Sequence, residues 1–91
     1  MTKRVAIICG GRSSEHEISC ISAGGVLAAI DRSQSEPVLI GISKSGKWFL
    51  LDESASLSIK DGALPSIPES GKAVALDAHG FTSEGQNLNI D

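Results

Sequence analysis

A glutamate, Glu15, lies four residues after a pair of glycines, beyond a polar turn, and stands at the start of a predicted helix. The apolar run Val5–Cys9 precedes Gly10 and Gly11, and such a run, rich in β-branched residues, is typical of a strand covered on both faces. The two glycines allow a sharp turn and the close approach of another group. Because ligands of open α/β sheets bind beyond the carboxyl ends of the strands, the spacing places the carboxylate of Glu15 where a ligand is expected.

The start of the helix carries the S-x-x-E spacing of a capping box in Ser14 and Glu17. We therefore predict that the serine oxygen accepts a hydrogen bond from a free helix N–H and that Glu17 reaches back to the helix start. This leaves Glu15 in the first turn without a structural partner. The alternative is that Glu15 only stabilises the helix, through the attraction between its carboxylate and the positive end of the helix dipole, which contributes about 0.3–1 kcal/mol.

The glycine turn does not have the sequence of a nucleotide-binding loop. Neither G-x-G-x-x-G nor G-x-x-x-x-G-K-[ST] is present, so both phosphate-binding fingerprints are absent. Glu15 and Glu17 would also repel a phosphate at a distance where repulsion in a partly dry site costs kcal/mol. A carboxylate at this position suits a cation such as an amino group, with Arg12 free to reach an anion nearby.

The segment Gly10–Ser19, with the sequence GGRSSEHEIS, resembles the opening motif of the D-alanine–D-alanine ligases, an ATP-grasp family of bacterial cell-wall synthesis. Residues 22–23 of the helix, 39–42 of a second strand and 46–48 of a hairpin fit the same family. The resemblance covers residues 3 to 50 well and the remainder loosely. The ten-residue motif is far more specific than a glycine pair alone.

The resemblance implies a role for each residue of this motif. In the family, the glutamate at the position of Glu15 holds the amino group of the first D-alanine, directly or through a short hydrogen-bonded relay. Gly10, Gly11 and Ser14 would shape the pocket of this substrate, and Ile18 would form its wall. Glu15 is therefore the expected catalytic and substrate-binding residue, and its contribution would be positioning rather than proton transfer.

The family also implies groups that this chain would not bind by itself. ATP and Mg²⁺ (or Mn²⁺) would be held by ATP-grasp domains of the full-length chain. In the family, ATP phosphorylates the carboxylate of the first D-alanine, and the amine of the second D-alanine then attacks this acyl phosphate, which gives the dipeptide, ADP and phosphate. No cofactor-binding or metal-binding residue is expected within residues 1–91. The expected partners are D-alanine, those ATP-grasp domains and a second copy in a homodimer, and the chain alone is expected to be inactive.

Length and composition fit this interpretation and exclude several others. Ninety-one residues form at most one domain, with a net charge of −3 from 8 basic and 11 acidic residues. There is no basic stripe, and aromatic residues are nearly absent, which argues against a nucleic-acid partner. The apolar run after the basic start is too short for a signal peptide or a membrane span, so we expect a cytoplasmic protein. Cys9 and Cys20 are expected to be buried free thiols.

The segment from Glu15 to Ile30 is predicted to be a helix that is apolar on nearly every side. Only Ser19 and Ser22 form a narrow polar strip, and a helix that is apolar all round is buried on more than one side. Gly24 and Gly25 cost about 1 kcal/mol each relative to alanine. We therefore expect another element to pack against the helix backbone there. Two hypotheses remain for the side of the helix that faces away from the sheet. It contacts a partner domain or a second subunit, or it is covered by the rest of this domain.

The predicted fold is α/β, a three-layer Rossmann-like preATP-grasp domain with a mainly parallel sheet. Residues 5–9, the helix and residues 38–42 form one βαβ unit, and residues 48–51 return as a hairpin strand. Residues 1–91 are expected to be part of the N-terminal substrate-binding domain, incomplete because they stop before its last strand and helix. Covering of the second sheet face is accordingly expected from elements outside this chain or from a partner copy.

The second half of the sequence gives weaker signals. Residues 52–71 are rich in turn-forming residues and are predicted to be a peripheral excursion with one helical turn near residues 57–60. Residues 72–76 are predicted to be an edge or hairpin strand, and residues 78–86 a loop. His79 and Gly80 imitate a substrate-binding His-Gly pair of the ligases, but no buried strand precedes them, so we expect His79 to be a solvent-exposed loop residue. His16 is expected to be solvated or to lie behind the site.

The alternative function is a non-catalytic α/β interaction or dimerisation module. The apolar helix favours it because such a helix suits an obligate partner. Its weakness is that it gives the carboxylate of Glu15 no function.

Overall fold

The architecture is a curled, mixed β-sheet with one helix packed against it. The computed structural model describes residues 3–51, 57, 65–78 and 80–90. Within these residues the strands pair in the order β1-β2-β3-β4-β5-β6. The elements, in chain order, are β1 (Lys3–Gly10), α1 (His16–Ala29), β2 (Ser35–Ile42), β3 (Trp48–Leu51), β4 (Lys72–Asp77), β5 (Gly80–Ser83) and β6 (Gln86–Asn87).

The first half of the chain folds as the sequence predicts. β1 and β2 pair in parallel, with Ile7 opposite Leu39, and α1 connects them. A parallel pair needs a crossover connection of this length. β3 then returns antiparallel to β2, with Phe49 opposite Gly41. The predicted βαβ unit and hairpin are therefore present, and helix α1 lies within one residue of its predicted bounds.

The prediction of a mainly parallel sheet is wrong for the described strands. Only β1 and β2 run parallel, and the four other strand pairs are antiparallel. The turns after β2, β4 and β5 are each only a few residues long, so the chain must reverse direction there. The predicted loop at residues 78–86 contains β5. Of the two alternatives for β4, the hairpin is confirmed by its antiparallel pairing with β5, and the edge is wrong because β4 also pairs with β3.

Helix α1 covers one face of the sheet. His16, Cys20 and Ala23 are its buried residues, and their spacing of four and three residues places them on one side of a helix. They belong to a core that also contains strand residues and parts of the segment after β3: Ile7, Cys9, Leu39, Phe49, Leu57 and Ile67. Ile18 and Val26, on the opposite side, are each 53 % exposed. Within the described chain, α1 is therefore buried on one side, not on several.

Part of the second face of the sheet is covered by the later strands and by the C-terminal segment, because the sheet curls. Val38, Ile40 and Val74 form the buried centre of this second core, against which residues of the later strands and of the C-terminal segment pack. The rings of Trp48 and Phe81 stack there, with centroids 6.0 Å apart. Trp48 therefore covers part of this face. The second face is thus partly covered from within the chain, contrary to expectation.

The Arg4 side chain fastens the C-terminal segment to β1. Its Nε donates a hydrogen bond of 2.8 Å to the carbonyl oxygen of Leu88, and its Nη1 lies 3.0 Å from a carboxylate oxygen of Glu36 on the neighbouring strand. This contact joins residues 84 positions apart in sequence. It therefore holds the curled sheet closed over its second face.

Gly24 allows the segment after β3 to approach the helix backbone. An added Cβ at Gly24 would lie 2.7 Å from the carbonyl oxygen of Leu57, whereas one at Gly25 would meet nothing within 4 Å. We expect Gly24→Ala to destabilise the protein by about 1–3 kcal/mol through overpacking. Gly25→Ala should instead stabilise it by about 0.5–1 kcal/mol because alanine favours the helix. Thermal unfolding of the two variants tests this pair, and equal shifts would contradict it.

Candidate functional site

The candidate site begins where β1 ends in the glycine turn. Gly10 and Gly11 have φ angles of +91° and +107°, values that residues with a side chain rarely adopt. An added Cβ at Gly10 would also clash with the carbonyl oxygen of Ile42 and lie 2.9 Å from Cγ1 of Ile67. The backbone at Gly10 therefore needs glycine both for its conformation and for the space around it.

The turn is fixed by hydrogen bonds from its backbone N–H groups. Gly11 donates to the carbonyl oxygen of Ile42 at 2.7 Å, which joins the ends of β1 and β2. Gly10 donates to the hydroxyl oxygen of Ser19 at 3.1 Å, and Glu15 donates to the hydroxyl oxygen of Ser13 at 3.2 Å. The loop that carries Glu15 is thus tied to the sheet and to α1 before any ligand is present.

Glu15 is the N-cap residue of α1, with φ −90° and ψ 11°. Its side chain is exposed. Among the residues that the structure describes, its carboxylate has no hydrogen-bond or ion-pair partner. The carboxylate is therefore available at the start of the helix, beyond the carboxyl end of a buried strand.

The predicted capping box is not formed. The N-cap of α1 has no side-chain hydrogen bond, and the exposed Ser14 contributes none. Glu17 instead lies 3.0 Å from Nζ of Lys44, and the hydrogen bond from Lys44 lowers the pKa of the Glu17 carboxyl. The ion pair with Lys44 thus replaces the hydrogen bond that Glu17 would make in a capping box. As a result Glu15, not Glu17, is the unpaired carboxylate at this end of the helix.

His16 is fully buried, which rules out the first of its two expected environments, solvent, and agrees with the second, a position behind the site. Its Nδ1 lies 2.7 Å from the carbonyl oxygen of Gly11, and its Nε2 accepts a hydrogen bond of 3.0 Å from the backbone N–H of Ile67. Two backbone partners therefore hold the imidazole. The only sequence signal was a histidine at the start of an otherwise apolar helix.

Residues 65–69, here called the strap, lie over the ends of β1 and β2. The strap belongs to the segment predicted to be peripheral, yet Ile67 is buried and contacts the core. Glu69 accepts hydrogen bonds from the hydroxyl and the backbone N–H of Ser45, at 2.9 and 3.3 Å, which lowers the pKa of the Glu69 carboxyl. The strap is thus joined both to the glycine turn and to the hairpin after β2. The helical turn predicted near residues 57–60 lies outside the described residues except for Leu57.

The remaining candidate residues lie around the same helix start. Ser14 is exposed beside Glu15. Ile18 is half-exposed three residues further on, which places it on the same side of the helix. The Arg12 side chain lies against the hairpin turn, where an added Cβ at Gly46 would be 3.0 Å from its Cδ. The structure therefore groups Gly10, Gly11, Ser14, Glu15 and Ile18 at one end of the sheet.

The two cysteines are buried and free, as predicted. Burial raises the pKa of the Cys9 thiol to about 12, and neighbouring Cys20 adds to the effect. Because the thiolate is the reactive form, these are unreactive core residues.

Several predictions concern groups beyond this cluster. His79 lies outside the described residues. Within residues 3–51, 57, 65–78 and 80–90, no three His, Cys, Asp or Glu side chains lie together in a way that could hold a metal ion. In the same part of the chain, no helix is long and apolar enough to span a membrane.

The described residues form an α/β domain with an exposed carboxylate at the start of its helix, beyond the carboxyl end of its first strand. The chain belongs to the family described as the D-ala D-ala ligase N-terminus, whose model matches residues 4–90. This confirms the resemblance seen in the GGRSSEHEIS motif. The comparisons give no support to the alternative of a non-catalytic interaction module.

Relatives of the chain are named as D-alanine--D-alanine ligases. It is 51 % identical over 85 residues to a D-alanine--D-alanine ligase of Kineococcus radiotolerans, covering 93 % of this chain and 23 % of that protein. It is 45 % identical over 89 residues to one of Rhodococcus erythropolis, covering 97 % and 24 %. The chain thus spans about a quarter of the length of these relatives.

Solved structures share the fold. The D-alanine-D-alanine ligase of Coxiella burnetii superposes with a TM-score of 0.76 at 26 % identity, covering 99 % of this chain and 27 % of that one. The VanG D-Ala:D-Ser ligase of Enterococcus faecalis superposes equally well, with a TM-score of 0.76 at 23 % identity, covering 100 % and 27 %. The second likeness concerns the fold alone.

Proposed function

We propose that this chain is the N-terminal substrate-binding domain of an ATP-dependent D-alanine–D-alanine ligase that makes D-alanyl-D-alanine for peptidoglycan. In it, the Glu15 carboxylate accepts hydrogen bonds from the ammonium group of the first D-alanine, directly or through a short relay. The observation that supports this most is the unpaired carboxylate of Glu15 on a loop whose backbone is fixed by hydrogen bonds. The family membership makes D-alanine the substrate to test.

A cation rather than an anion suits this end of the domain. The ion pair between Glu17 and Lys44 satisfies both of those charges, which leaves the negative charge of Glu15 at the helix start. A charge-assisted hydrogen bond from an ammonium group to a carboxylate is about twice as strong as a neutral one. Holding the first substrate in a fixed orientation lowers the entropic part of the barrier, so Glu15 acts by positioning.

The other members of the site have shaping roles in this proposal. Gly10 and Gly11 bring the backbone close to the substrate, Ser14 offers a hydroxyl beside Glu15, and Ile18 forms an apolar wall one turn further along. An apolar wall suits the methyl group of alanine. None of these four residues is proposed to transfer a proton.

ATP and Mg²⁺ (or Mn²⁺) do not fit the described residues of this chain. The described cluster around Glu15 contains no group of three metal ligands, and the negative charge of Glu15 would repel the phosphates of ATP. We therefore assign the nucleotide and the metal ion to ATP-grasp domains of the full-length protein. We also propose that the full-length protein is cytoplasmic. The 91-residue chain alone is expected to have no ATPase or ligase activity.

We propose that the full-length enzyme is a homodimer that buries the exposed side of α1. The face formed by Ser22, Gly25, Val26 and Ala29 carries no charge, and Val26 is 53 % exposed. Val26→Glu in the full-length enzyme is expected to convert a dimer to a monomer, because a buried unpaired carboxylate is costly. Val26→Leu is the control and should remain dimeric. Analytical ultracentrifugation tests this, and a dimer that persists in Val26→Glu would contradict it.

Phosphate release from ATP by the full-length enzyme tests the proposed function. The enzyme is assayed with D-alanine, with L-alanine and without amino acid. Phosphate release that depends on D-alanine, together with formation of the dipeptide, is the expected result. Equal rates in all three conditions, or no turnover in any, would contradict the proposal.

A further inference from the structure

His16 joins the glycine turn to the strap, in which its partner Ile67 lies 51 residues further along the chain. Its ring contacts the glycine turn on one side, through the carbonyl oxygen of Gly11 at 2.7 Å, and the strap on the other, through the N–H of Ile67 at 3.0 Å. The residue is directly adjacent to Glu15 in the chain. A change at His16 is therefore transmitted to the glycine turn, to the strap and to the start of α1 together.

The partners of the imidazole fix its tautomer. The carbonyl oxygen of Gly11 can only accept a hydrogen bond, so Nδ1 must carry the proton. The N–H of Ile67 can only donate, so Nε2 must be unprotonated. Each nitrogen thus has one suitable partner, and the buried ring leaves no polar atom unsatisfied. Fully satisfied buried polar groups of this kind specify one arrangement of the segments that they join.

The strap also contacts the glycine turn directly. The Ile67 side chain lies against Gly10, since an added Cβ there would be 2.9 Å from its Cγ1. The same added Cβ would be 3.2 Å from Cε1 of His16. Glu69 fastens the other end of the strap to Ser45. The strap and the imidazole therefore both pack against the glycine turn, whereas Glu15 is exposed.

We infer that His16 is a positioning residue for the first-substrate site. It holds the glycine turn and the first turn of α1 so that the carboxylate of Glu15 points at the substrate ammonium. This inference rests on the proposed function, since it assigns His16 a task at that same site. A purely apolar residue of similar size would fill the space in the core but would free the Gly11 carbonyl and the Ile67 N–H to move.

Three substitutions in the full-length enzyme separate the two hydrogen bonds. His16→Phe keeps an aromatic ring but removes both bonds, His16→Asn offers a donor near the position of Nδ1, and His16→Gln offers an acceptor near the position of Nε2. We expect His16→Phe to raise the KM for the first D-alanine roughly 10- to 100-fold, the range typical of a catalytic group misplaced by about 1 Å. The KM for ATP should stay within about twofold of the wild type, and the Asn and Gln variants should fall between.

A double-mutant cycle with Glu15→Gln distinguishes positioning from folding. If His16 acts through Glu15, His16→Phe should have much less effect on the first-substrate KM in the Glu15→Gln background than in the wild type. Independent effects that multiply would overturn the inference, as would a wild-type KM in all three His16 variants. Loss of stability with equal effects on D-alanine and ATP would also overturn it. Should His16→Phe fail to fold, the Asn and Gln variants decide by the same criteria.

The proposed function and this inference fail in different ways. An unchanged KM in Glu15→Gln would refute the role of Glu15, whereas the ligase activity itself is tested by the D-alanine-dependent phosphate release of the wild-type enzyme. A raised KM in Glu15→Gln with unchanged values in the His16 variants would refute only the positioning role of His16.

Discussion

Glu15→Gln in the full-length enzyme is expected to lower kcat/KM for D-alanine by roughly 30- to 150-fold. The amide keeps the size and one hydrogen-bond acceptor of the side chain but loses the charge that attracts the ammonium group. A hydrogen bond to a charged group contributes about 1.5–3 kcal/mol, and a loss of about 2–3 kcal/mol corresponds to this range. Steady-state kinetics with D-alanine as the varied substrate measure it.

Glu17→Gln is the matched control for this prediction. It removes the same charge two residues away, but in the structure Glu17 is paired with Lys44, 3.0 Å from its Nζ. Exposed ion pairs contribute at most about 1 kcal/mol, and this pair lies beside the site rather than in it. We expect kcat/KM to change by no more than about two- to threefold. Equal losses in the two variants would mean that the general negative charge of the helix start matters, not Glu15 in particular.

Gly10→Ala is expected to give the largest loss of stability of any single methyl addition in the glycine turn. A side chain at φ +91° is strained, which costs about 1–2 kcal/mol. The added Cβ would also meet the Ile42 carbonyl oxygen and Ile67, and overpacking against such neighbours costs about 1–3 kcal/mol. The sum, roughly 2–5 kcal/mol, should appear as a clear fall in Tm by differential scanning calorimetry.

Gly11→Ala is the control for the steric part of that effect. Its φ of +107° is similarly unfavourable, but an added Cβ would meet nothing within 4 Å. We therefore expect only the conformational cost of about 1–2 kcal/mol. A Tm for Gly10→Ala equal to or above that of Gly11→Ala would show that Ile42 and Ile67 do not restrict Gly10 as the structure indicates.

The first fifty residues could be predicted because their signals are local and agree with one another. The apolar run of β1, the glycine pair, the long apolar helix and the glycine of the hairpin each allow few structures. The later strands are short and follow segments rich in turn-forming residues, so their pairing depends on contacts with distant parts of the chain. Trp48 and Phe81, for example, stack across 33 positions. Periodicity within a window does not record such contacts.

The candidate site shows the same division between local and distant information. Glu15 was predicted from the charge pattern and from the family motif, both of which lie within ten residues. The pairing of Glu17 with Lys44 and the burial of His16 against Ile67 depend on how the hairpin and the strap fold back. Local rules predicted a capping box, which the Glu17–Lys44 contact replaces, and they left the environment of His16 open between solvent and a position behind the site, which the contact with Ile67 decides.

The most direct test of the central claim is the distance between the Glu15 carboxylate and the bound amino acid. A crystal structure of the full-length enzyme with D-alanine at the first site provides this measurement. We predict about 2.7–3.2 Å between a carboxylate oxygen and the substrate nitrogen, or one hydrogen-bonded group linking them. A bound D-alanine whose ammonium group is held by other residues, with Glu15 pointing into solvent, would contradict the account.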